Sequence, residues 1–125
     1  MKIKVALTGK PNSGKTTVFN DLTGATKEVG NWPGVTVEWV RGDFKFCGYD
    51  ITLVDLPGIY SLFPHSPEQQ AICMYLTGEE EDRPDVIIDV IDVTNLERSL
   101  YLTSQLIGTG LPVVVALNMH DELLG

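Results

Sequence analysis

The chain has 125 residues, of which 43% are hydrophobic and 21% charged, and its formal net charge is −8 at pH 7. This composition is typical of one globular domain, and the acidic balance argues against a nucleic-acid partner because no basic stripe is available to face a phosphate backbone. No apolar run approaches the roughly 18 residues of a membrane-spanning helix, so we expect the 125-residue chain to be soluble by itself.

In chain order, the hydrophobic pattern predicts strands that alternate with helices. Apolar or alternating runs predict strands at residues 2–8, 35–46, 51–54, 86–91 and 113–117. One helix is predicted at residues 15–23, a second begins with a Ser66–Gln69 capping box and ends at Gly78, and a third is capped by Thr94 with Glu97. Residues 26–33 have no usable period and are predicted to form a loop. The alternation predicts a three-layer α/β domain with a mostly parallel sheet.

The third predicted helix is rich in leucine. We expect its apolar side chains to cover one broad face, formed by Leu96, Leu100, Leu102, Leu106 and Ile107.

The segment between the first strand and the first helix, residues 9–16, reads G-K-P-N-S-G-K-T. In such a loop the backbone N–H groups surround phosphates, and the following helix adds its positive N-terminal end. Lys15 is expected to reach the β- and γ-phosphates, and the hydroxyl of Thr16 to bind magnesium. The strand before the loop and the helix after it argue against the alternative, a glycine turn with a chance lysine.

Two further motifs directly follow predicted strands: D-L-P-G at residues 55–58 and N-M-H-D at residues 118–121. Because ligands of parallel α/β sheets bind beyond the carboxyl ends of the strands, we expect all three motifs at one edge. Asp55 can hold magnesium through a water, and the N–H of Gly58 can approach the γ-phosphate because no side chain intervenes. Taken alone, D-L-P-G indicates only a turn.

Asn118 and Asp121 indicate guanine as the base. A carboxylate accepts hydrogen bonds from N1–H and from the exocyclic amine of guanine, whereas adenine offers neither donor at those positions. A site rejects a ligand strongly when binding that ligand would leave buried polar groups of the site unpaired. The three motifs together therefore predict a GTP-binding protein.

Longer segments closely resemble the FeoB ferrous-iron transport family, from Ile3 to Asp121. They are G-K-P-N-S-G-K-T-T at residues 9–17, V-G-N-W-P-G-V-T-V-E at 29–38, D-L-P-G-I-Y-S-L at 55–62, N-L-E-R-S-L-Y-L-T at 95–103 and A-L-N-M-H-D at 116–121. The resemblance implies a Ras-like P-loop GTPase fold that lacks its last strand and helix, so that residues 1–125 form one C-terminally incomplete GTP-binding domain.

The resemblance also implies roles for single residues. Magnesium would be held by Thr16, Thr36 and Asp55, and an activating potassium ion by Asn12 with the carbonyls of Gly30 and Trp32. Catalysis would rest on Asn12, Lys15, Thr36 and Gly58. The implied nucleotide contacts are Gly9, Lys10, Pro11, Asn12, Ser13, Gly14, Lys15, Thr16, Thr17, Gly34, Val35, Thr36, Asp55, Leu56, Pro57, Gly58, Asn118, Met119 and Asp121.

Three positions do not follow the usual pattern or have no clear role. Ile59 follows Gly58 where many GTPases have a glutamine that orients water, so we expect slow intrinsic hydrolysis. Lys10 stands where the family usually has asparagine, and we expect a tolerated surface change. Asp89 lies in a predicted buried strand, and the sequence gives no functional account of it.

The function implied by the resemblance is a slowly hydrolysing, potassium-stimulated GTPase domain that regulates or drives Fe(II) uptake. Its expected partners are GTP or GDP, a helical domain and a membrane-embedded permease region of the same polypeptide, at the cytoplasmic face of the cell membrane. Two alternatives stay open: a nucleotide-sensing module with negligible hydrolysis, and an ATP-using kinase-like protein, which Asp121 disfavours. We also expect self-association through an exposed last strand at residues 111–117.

Overall fold

The computed structural model describes residues 2–10, 13–24, 27–31, 38–59, 61–63, 66–78 and 83–118. The strands in these ranges are β1 (Lys2–Gly9), β2 (Glu28–Asn31), β3 (Glu38–Phe46), β4 (Tyr49–Asp55), β5 (Val86–Asp92) and β6 (Val113–Asn118). The helices are α1 (Lys15–Thr23), α2 (Pro67–Thr77) and α3 (Leu96–Ile107), with a 3₁₀ turn at Val93–Asn95. None of the described helices combines the length and the apolar character needed to cross a membrane.

The six strands form one sheet in the order β2-β3-β4-β1-β5-β6. β4, β1, β5 and β6 run parallel to one another, and β3 is antiparallel to both β2 and β4. Helix α1 packs on one face through Phe19, while α2 and α3 pack on the other through Ile72 and Leu102. The predicted three-layer, mostly parallel α/β architecture is therefore confirmed.

The helix boundaries follow the capping signals in the sequence. Ser66 Oγ accepts from the N–H of Gln69 (3.2 Å), and the Gln69 side chain accepts from the N–H of Ser66 (3.1 Å), which is the predicted capping box. Gly24 ends α1 with a φ of 70°, and its N–H donates to the carbonyl of Asn20. A residue in this left-handed conformation is usually glycine because a Cβ atom is strained there.

The prediction of a loop at residues 26–33 is wrong for residues 28–31, which form β2. This strand is four residues long and pairs antiparallel with β3, Glu28 opposite Arg41 and Gly30 opposite Trp39. An ion pair of 2.8 Å joins Arg41 to Glu28. Pairing with β3 stabilises this strand. Its own residues therefore need not alternate between apolar and polar, and the sequence shows no such alternation.

Helix α3 differs from the prediction on its buried face. It is preceded by the 3₁₀ turn at Val93–Asn95, whose N-cap is Asp92: the carboxylate of Asp92 accepts from the N–H (2.9 Å) and the hydroxyl (2.6 Å) of Thr94. The buried side chains are Ser99, Leu102, Thr103 and Leu106, whereas Leu96, Leu100 and Ile107 are exposed. These buried residues follow the helical spacing i, i+3, i+4, i+7, so Ser99 and Thr103 share the core face with Leu102 and Leu106.

Candidate nucleotide site

The loop after β1 requires a glycine at its first position. A Cβ atom on Gly9 would lie 2.7 Å from the Oγ of Ser13 and 2.8 Å from the carbonyl oxygen of Val90, closer than non-bonded atoms approach. The N–H of Ser13 then donates to the carbonyl of Lys10 (3.2 Å). The backbone therefore turns back directly before α1, as a phosphate-binding loop does.

The prediction that Lys10 lies on the surface is wrong, since the residue is only 6% exposed. The surroundings of the loop explain this. The segment after β4 runs along the end of β1, where the N–H of Leu56 donates to Leu7 (3.0 Å) and the N–H of Ile59 donates to Gly9 (3.1 Å).

Gly14 and Asn118 bring the first and last motifs together. The Nδ2 of Asn118 donates to the carbonyl of Ser13 (2.8 Å). Gly14 has a φ of 91°, and a Cβ atom on it would lie 2.0 Å from the same Nδ2. The end of β6 and the loop after β1 are therefore in direct contact, as the sequence predicted from the edge shared by parallel strand ends.

Lys15 and Asp55 connect the first motif to the second. The ammonium of Lys15 contacts the carboxylate of Asp55 in an ion pair between the start of α1 and the end of β4, and both side chains are largely buried. Charged groups are tolerated away from water when they are paired in this way. The residues predicted to bind phosphate and magnesium thus lie side by side.

The hydroxyl of Thr16 and the carboxylate of Asp55 fit a magnesium ion, because Mg²⁺ prefers hard oxygen ligands and keeps several waters. Thr16 is exposed in the first turn of α1, directly after Lys15, and Asp55 is the last residue of β4. A magnesium ion held there would supply positive charge to bound phosphates.

The residues after Asp55 divide between core and surface. Leu56 is fully buried in the core beneath α2 and α3, and its N–H donates to the carbonyl of Leu7. Ile59 is buried in the same core, while Gly58 is exposed. Neither the N–H nor the side chain of Leu56 is therefore open to a ligand, whereas Gly58 presents its backbone.

Gly30 lies against an aromatic ring that the sequence did not single out. A Cβ atom on Gly30 would lie 2.3 Å from the ring of Trp39, and the guanidinium of Arg41 lies 4.9 Å from the centre of that ring. The ring therefore leaves room only for glycine. Several other predicted site residues lie outside the described part of the chain: Pro11, Asn12, Trp32, Gly34, Val35, Thr36, Met119 and Asp121.

Sequence reasoning missed a polar cluster next to the loop. Asp89 on β5 is bonded by Thr103 of α3 and lies near Thr8, the residue before Gly9. A carboxylate inside an otherwise apolar strand was the only available signal. It marked Asp89 as unusual but could not identify the two threonines, which are distant in sequence.

Comparison with known proteins agrees with this geometry. The sequence profile of ferrous iron transport protein B matches residues 3–124. The chain belongs to the FeoB family. It is 57% identical over 120 residues to the Fe(2+) transport protein A/FeoB fusion protein of Porphyromonas gingivalis, and 50% identical over 124 residues to the Fe(2+) transporter FeoB of Escherichia coli K12. These alignments cover 96% of this chain but 14% and 16% of the two relatives.

Solved FeoB structures share the fold. The G domain of the T. maritima FeoB iron transporter superposes with a TM-score of 0.89 at 44% identity, over 98% of this chain and 75% of that one. A GDP-bound variant of S. thermophilus NFeoB gives a TM-score of 0.85 at 53% identity, over 98% of this chain and 47% of that one. The chain therefore has the fold of the FeoB G domain and spans a small part of the full-length FeoB transporters.

Proposed function

We propose that this chain binds guanine nucleotides and hydrolyses GTP to GDP and inorganic phosphate. The observation that carries the proposal is the meeting of three loops at one sheet edge. The Lys15–Asp55 ion pair joins the first two, and the 2.8 Å bond from Asn118 to Ser13 joins the first and third. A phosphate-binding lysine, a metal-binding carboxylate and a base-reading asparagine thus share one site, and the GDP bound to the S. thermophilus relative supports the proposal.

The base is read by Asn118 and Asp121. The carboxylate of Asp121 accepts from N1–H and the amine of guanine, a pair of donors that adenine lacks. Asn118 also has a structural role, because its amide, at the end of β6, donates a hydrogen bond to the carbonyl of Ser13 in the phosphate loop. Base recognition and phosphate binding are therefore mechanically connected in this chain.

Hydrolysis requires water to attack the γ-phosphorus while its bond to the β–γ bridging oxygen breaks, which releases GDP and phosphate. Lys15 and the N–H of Gly58 stabilise the negative charge on the transferred group. Thr16, Thr36 and Asp55 would hold a magnesium ion, which would supply further positive charge. Asn12 and the carbonyls of Gly30 and Trp32 would hold a potassium ion, which would supply positive charge where other GTPases use an arginine.

The rate is expected to be slow because Ile59 cannot orient the attacking water. Its side chain is apolar and buried in the core, and its N–H is bonded to Gly9. The same observation favours a second candidate function, a module that senses GDP or GTP with negligible turnover. Phosphate release separates the two functions.

In the whole polypeptide, nucleotide binding would regulate or drive Fe(II) uptake by an attached membrane region, from the cytoplasmic face of the membrane. The support for this is the family and the length of its members, of which this chain spans about one sixth. A helical domain and the permease region would be its partners. The open edge of β6 is also proposed to mediate self-association.

The decisive experiment measures binding of GDP, GTP and ATP to the wild-type chain, to Lys15→Ala and to Lys45→Ala by calorimetry. Lys15→Ala should lower GTP affinity roughly tenfold or more, because a hydrogen bond to a charged group is worth about 1.5–3 kcal/mol. Lys45 is the matched control, since its side chain is 88% exposed and its ammonium lies 4.0 Å from the carboxylate of Asp50. Equal affinities of Lys15→Ala and the wild type, or preference for ATP, would contradict the proposal.

Phosphate release in potassium chloride and in sodium chloride then tests hydrolysis. We expect faster release in potassium, and loss of that increase in Asn12→Ala. Turnover indistinguishable from the no-protein blank in both salts would favour the sensing module instead.

A further inference from the structure

Asp89 is a buried carboxylate that the proposed mechanism does not use. It lies in β5 and is 1% exposed. The hydroxyl of Thr103 on α3 donates to its Oδ2, and the hydroxyl of Thr8 on β1 lies 3.5 Å from its Oδ1. One side chain thus connects the helix to two neighbouring strands.

The connection ends at the phosphate loop. In the parallel pairing of β1 and β5, Thr8 lies opposite Asp89 and Gly9 opposite Val90. Thr8 directly precedes Gly9, where the loop begins and where the carbonyl accepts from Ile59. A change in the hydrogen bonds of Asp89 would therefore affect Thr8, the residue directly before the phosphate loop.

Two hydrogen-bond arrangements are available to this cluster. The hydroxyl of Thr103 lies within reach of both Asp89 and the carbonyl of Ser99 (3.1 Å) but carries a single proton. With Asp89 ionised, Thr103 donates to the carboxylate. With Asp89 protonated, the acid can donate to Thr103, which then donates to Ser99. The Oδ1 atom stays within reach of the Thr8 hydroxyl, which lies 3.5 Å from both that atom and the carbonyl oxygen of Ile88.

We propose that Asp89 is a positioning residue of the phosphate loop, which ties α3 to Thr8 through a link that one proton switches between two bonded arrangements. The inference rests on the proposed nucleotide binding for its functional consequence. The cluster itself stands on the contacts among β1, β5 and α3.

Burial favours the protonated form of the Asp89 carboxyl. Burial raises the pKa of Asp89 above its ordinary value of 3.8, and the hydrogen bonds from Thr103 and Thr8 lower it in part. β6, the next strand, presents Val115 opposite Asp89 in the pairing register. The described charged residues on and beside the surrounding elements are Lys2 and Lys4 on β1, Lys10 after β1, Asp85 before β5, Asp92 at the end of β5, and Glu97 on α3.

The sign of the pH dependence follows from this shift. The folded chain binds the proton of Asp89 more tightly than the unfolded chain does. The stability contributed by the protonated form is therefore complete below pH 3.8 and is lost as the pH rises through the raised pKa. Asp89→Asn has no charge to acquire, so the Tm of the wild type relative to this variant should fall as the pH rises.

A matched control separates the buried site from general titration. Asp43 also accepts from a threonine hydroxyl, that of Thr52 at 2.8 Å, but this pair is exposed. Thermal unfolding of wild type, Asp89→Asn and Asp43→Asn should give parallel pH profiles for the wild type and Asp43→Asn, with Asp89→Asn diverging. A wild-type to Asp89→Asn difference that is constant between pH 4 and pH 8 would overturn the proton switch.

The link to the loop has its own readouts. In the wild type, the amide NMR signals of Gly9 and Ser13 should shift with a midpoint above pH 3.8, and in Asp89→Asn this shift should vanish. Thr8→Val should lower GDP affinity by about three- to tenfold, whereas Thr8→Ser keeps the hydroxyl and should retain affinity.

The two proposals fail differently. Loop amides that titrate identically in wild type and Asp89→Asn, or equal GDP affinities for Thr8→Val and Thr8→Ser, would overturn the positioning role. A wild-type chain that binds no GDP, but whose loop amides titrate with Asp89, would refute the proposed function and support the positioning role.

Discussion

Gly14 occupies a position where a single methyl group would both strain the backbone and collide with Asn118. Its φ of 91° is in the left-handed region, which costs other residues about 1–2 kcal/mol. Its absent side chain also leaves room for the amide of Asn118, which a Cβ atom would approach to 2.0 Å. Backbone strain and collision therefore act together at this residue.

We expect Gly14→Ala to lower GDP affinity by roughly tenfold or more, because the alanine displaces Asn118 from the phosphate loop. Gly24→Ala provides the control, since Gly24 has a φ of 70° but no atom of the described residues lies within 4 Å of its Cβ position. The control should lose about 1 kcal/mol of stability and keep its GDP affinity. Calorimetry on both variants measures this, and equal losses of affinity would show that strain alone is responsible.

The sequence predicted the tight backbone at Gly9 and Gly14 and the position of Lys15 beside Asp55, because a phosphate-loop motif constrains the backbone locally and strand ends share one edge. It did not predict the burial of Lys10, because burial depends on which parts of the chain pack around a residue and a local motif does not contain them. For Asp89 it indicated an unusual residue without its partners, since Thr8 and Thr103 are brought there only by the parallel pairing and by α3.

The β3–β4 hairpin shows how a turn can carry a suboptimal residue. Phe46 pairs with Tyr49, so Cys47 and Gly48 form a two-residue turn. Both have positive φ values, 50° for Cys47 and 82° for Gly48. Turns of this type favour Asn-Gly, because asparagine tolerates the left-handed conformation better than cysteine does.

Cys47→Asn should therefore raise the free energy of unfolding by about 0.5–1 kcal/mol. Chemical denaturation measures this difference. Cys47→Ala removes the thiol without the preference for positive φ and should not be stabilised. If the alanine and asparagine variants were equally stable, loss of the thiol rather than turn geometry would be the cause.

Among the larger elements, those with a strong period or a capping signal were predicted within one or two residues, as α1 and α2 demonstrate. β2 was missed because pairing with β3, the Glu28–Arg41 ion pair and the packing of Trp39 on Gly30 define it. The face of α3 was predicted incorrectly since Ser99 and Thr103 take core positions that apolar counting assigns to leucines.

The sheet as a whole has two edges of different character among the described strands. β2 is short, with a glycine and two polar residues, and short polar edges resist pairing with other chains. β6 pairs only with β5 in the described part of the chain, and its Val114 and Leu117 are 53% and 65% exposed. On α3, Leu100 and Ile107 are also exposed apolar side chains. Apolar surface beside an open strand edge favours association.

We therefore expect the 125-residue chain to self-associate through β6, with a sedimentation coefficient that rises with protein concentration. Val114→Lys places a charge on this edge and should shift the equilibrium toward monomer, because burying an unpaired charge in an interface is costly. Val29→Lys is the matched control, since Val29 is 52% exposed on the opposite edge and should leave the equilibrium unchanged. A concentration-independent monomer, or equal effects of the two lysines, would exclude β6 as the contact.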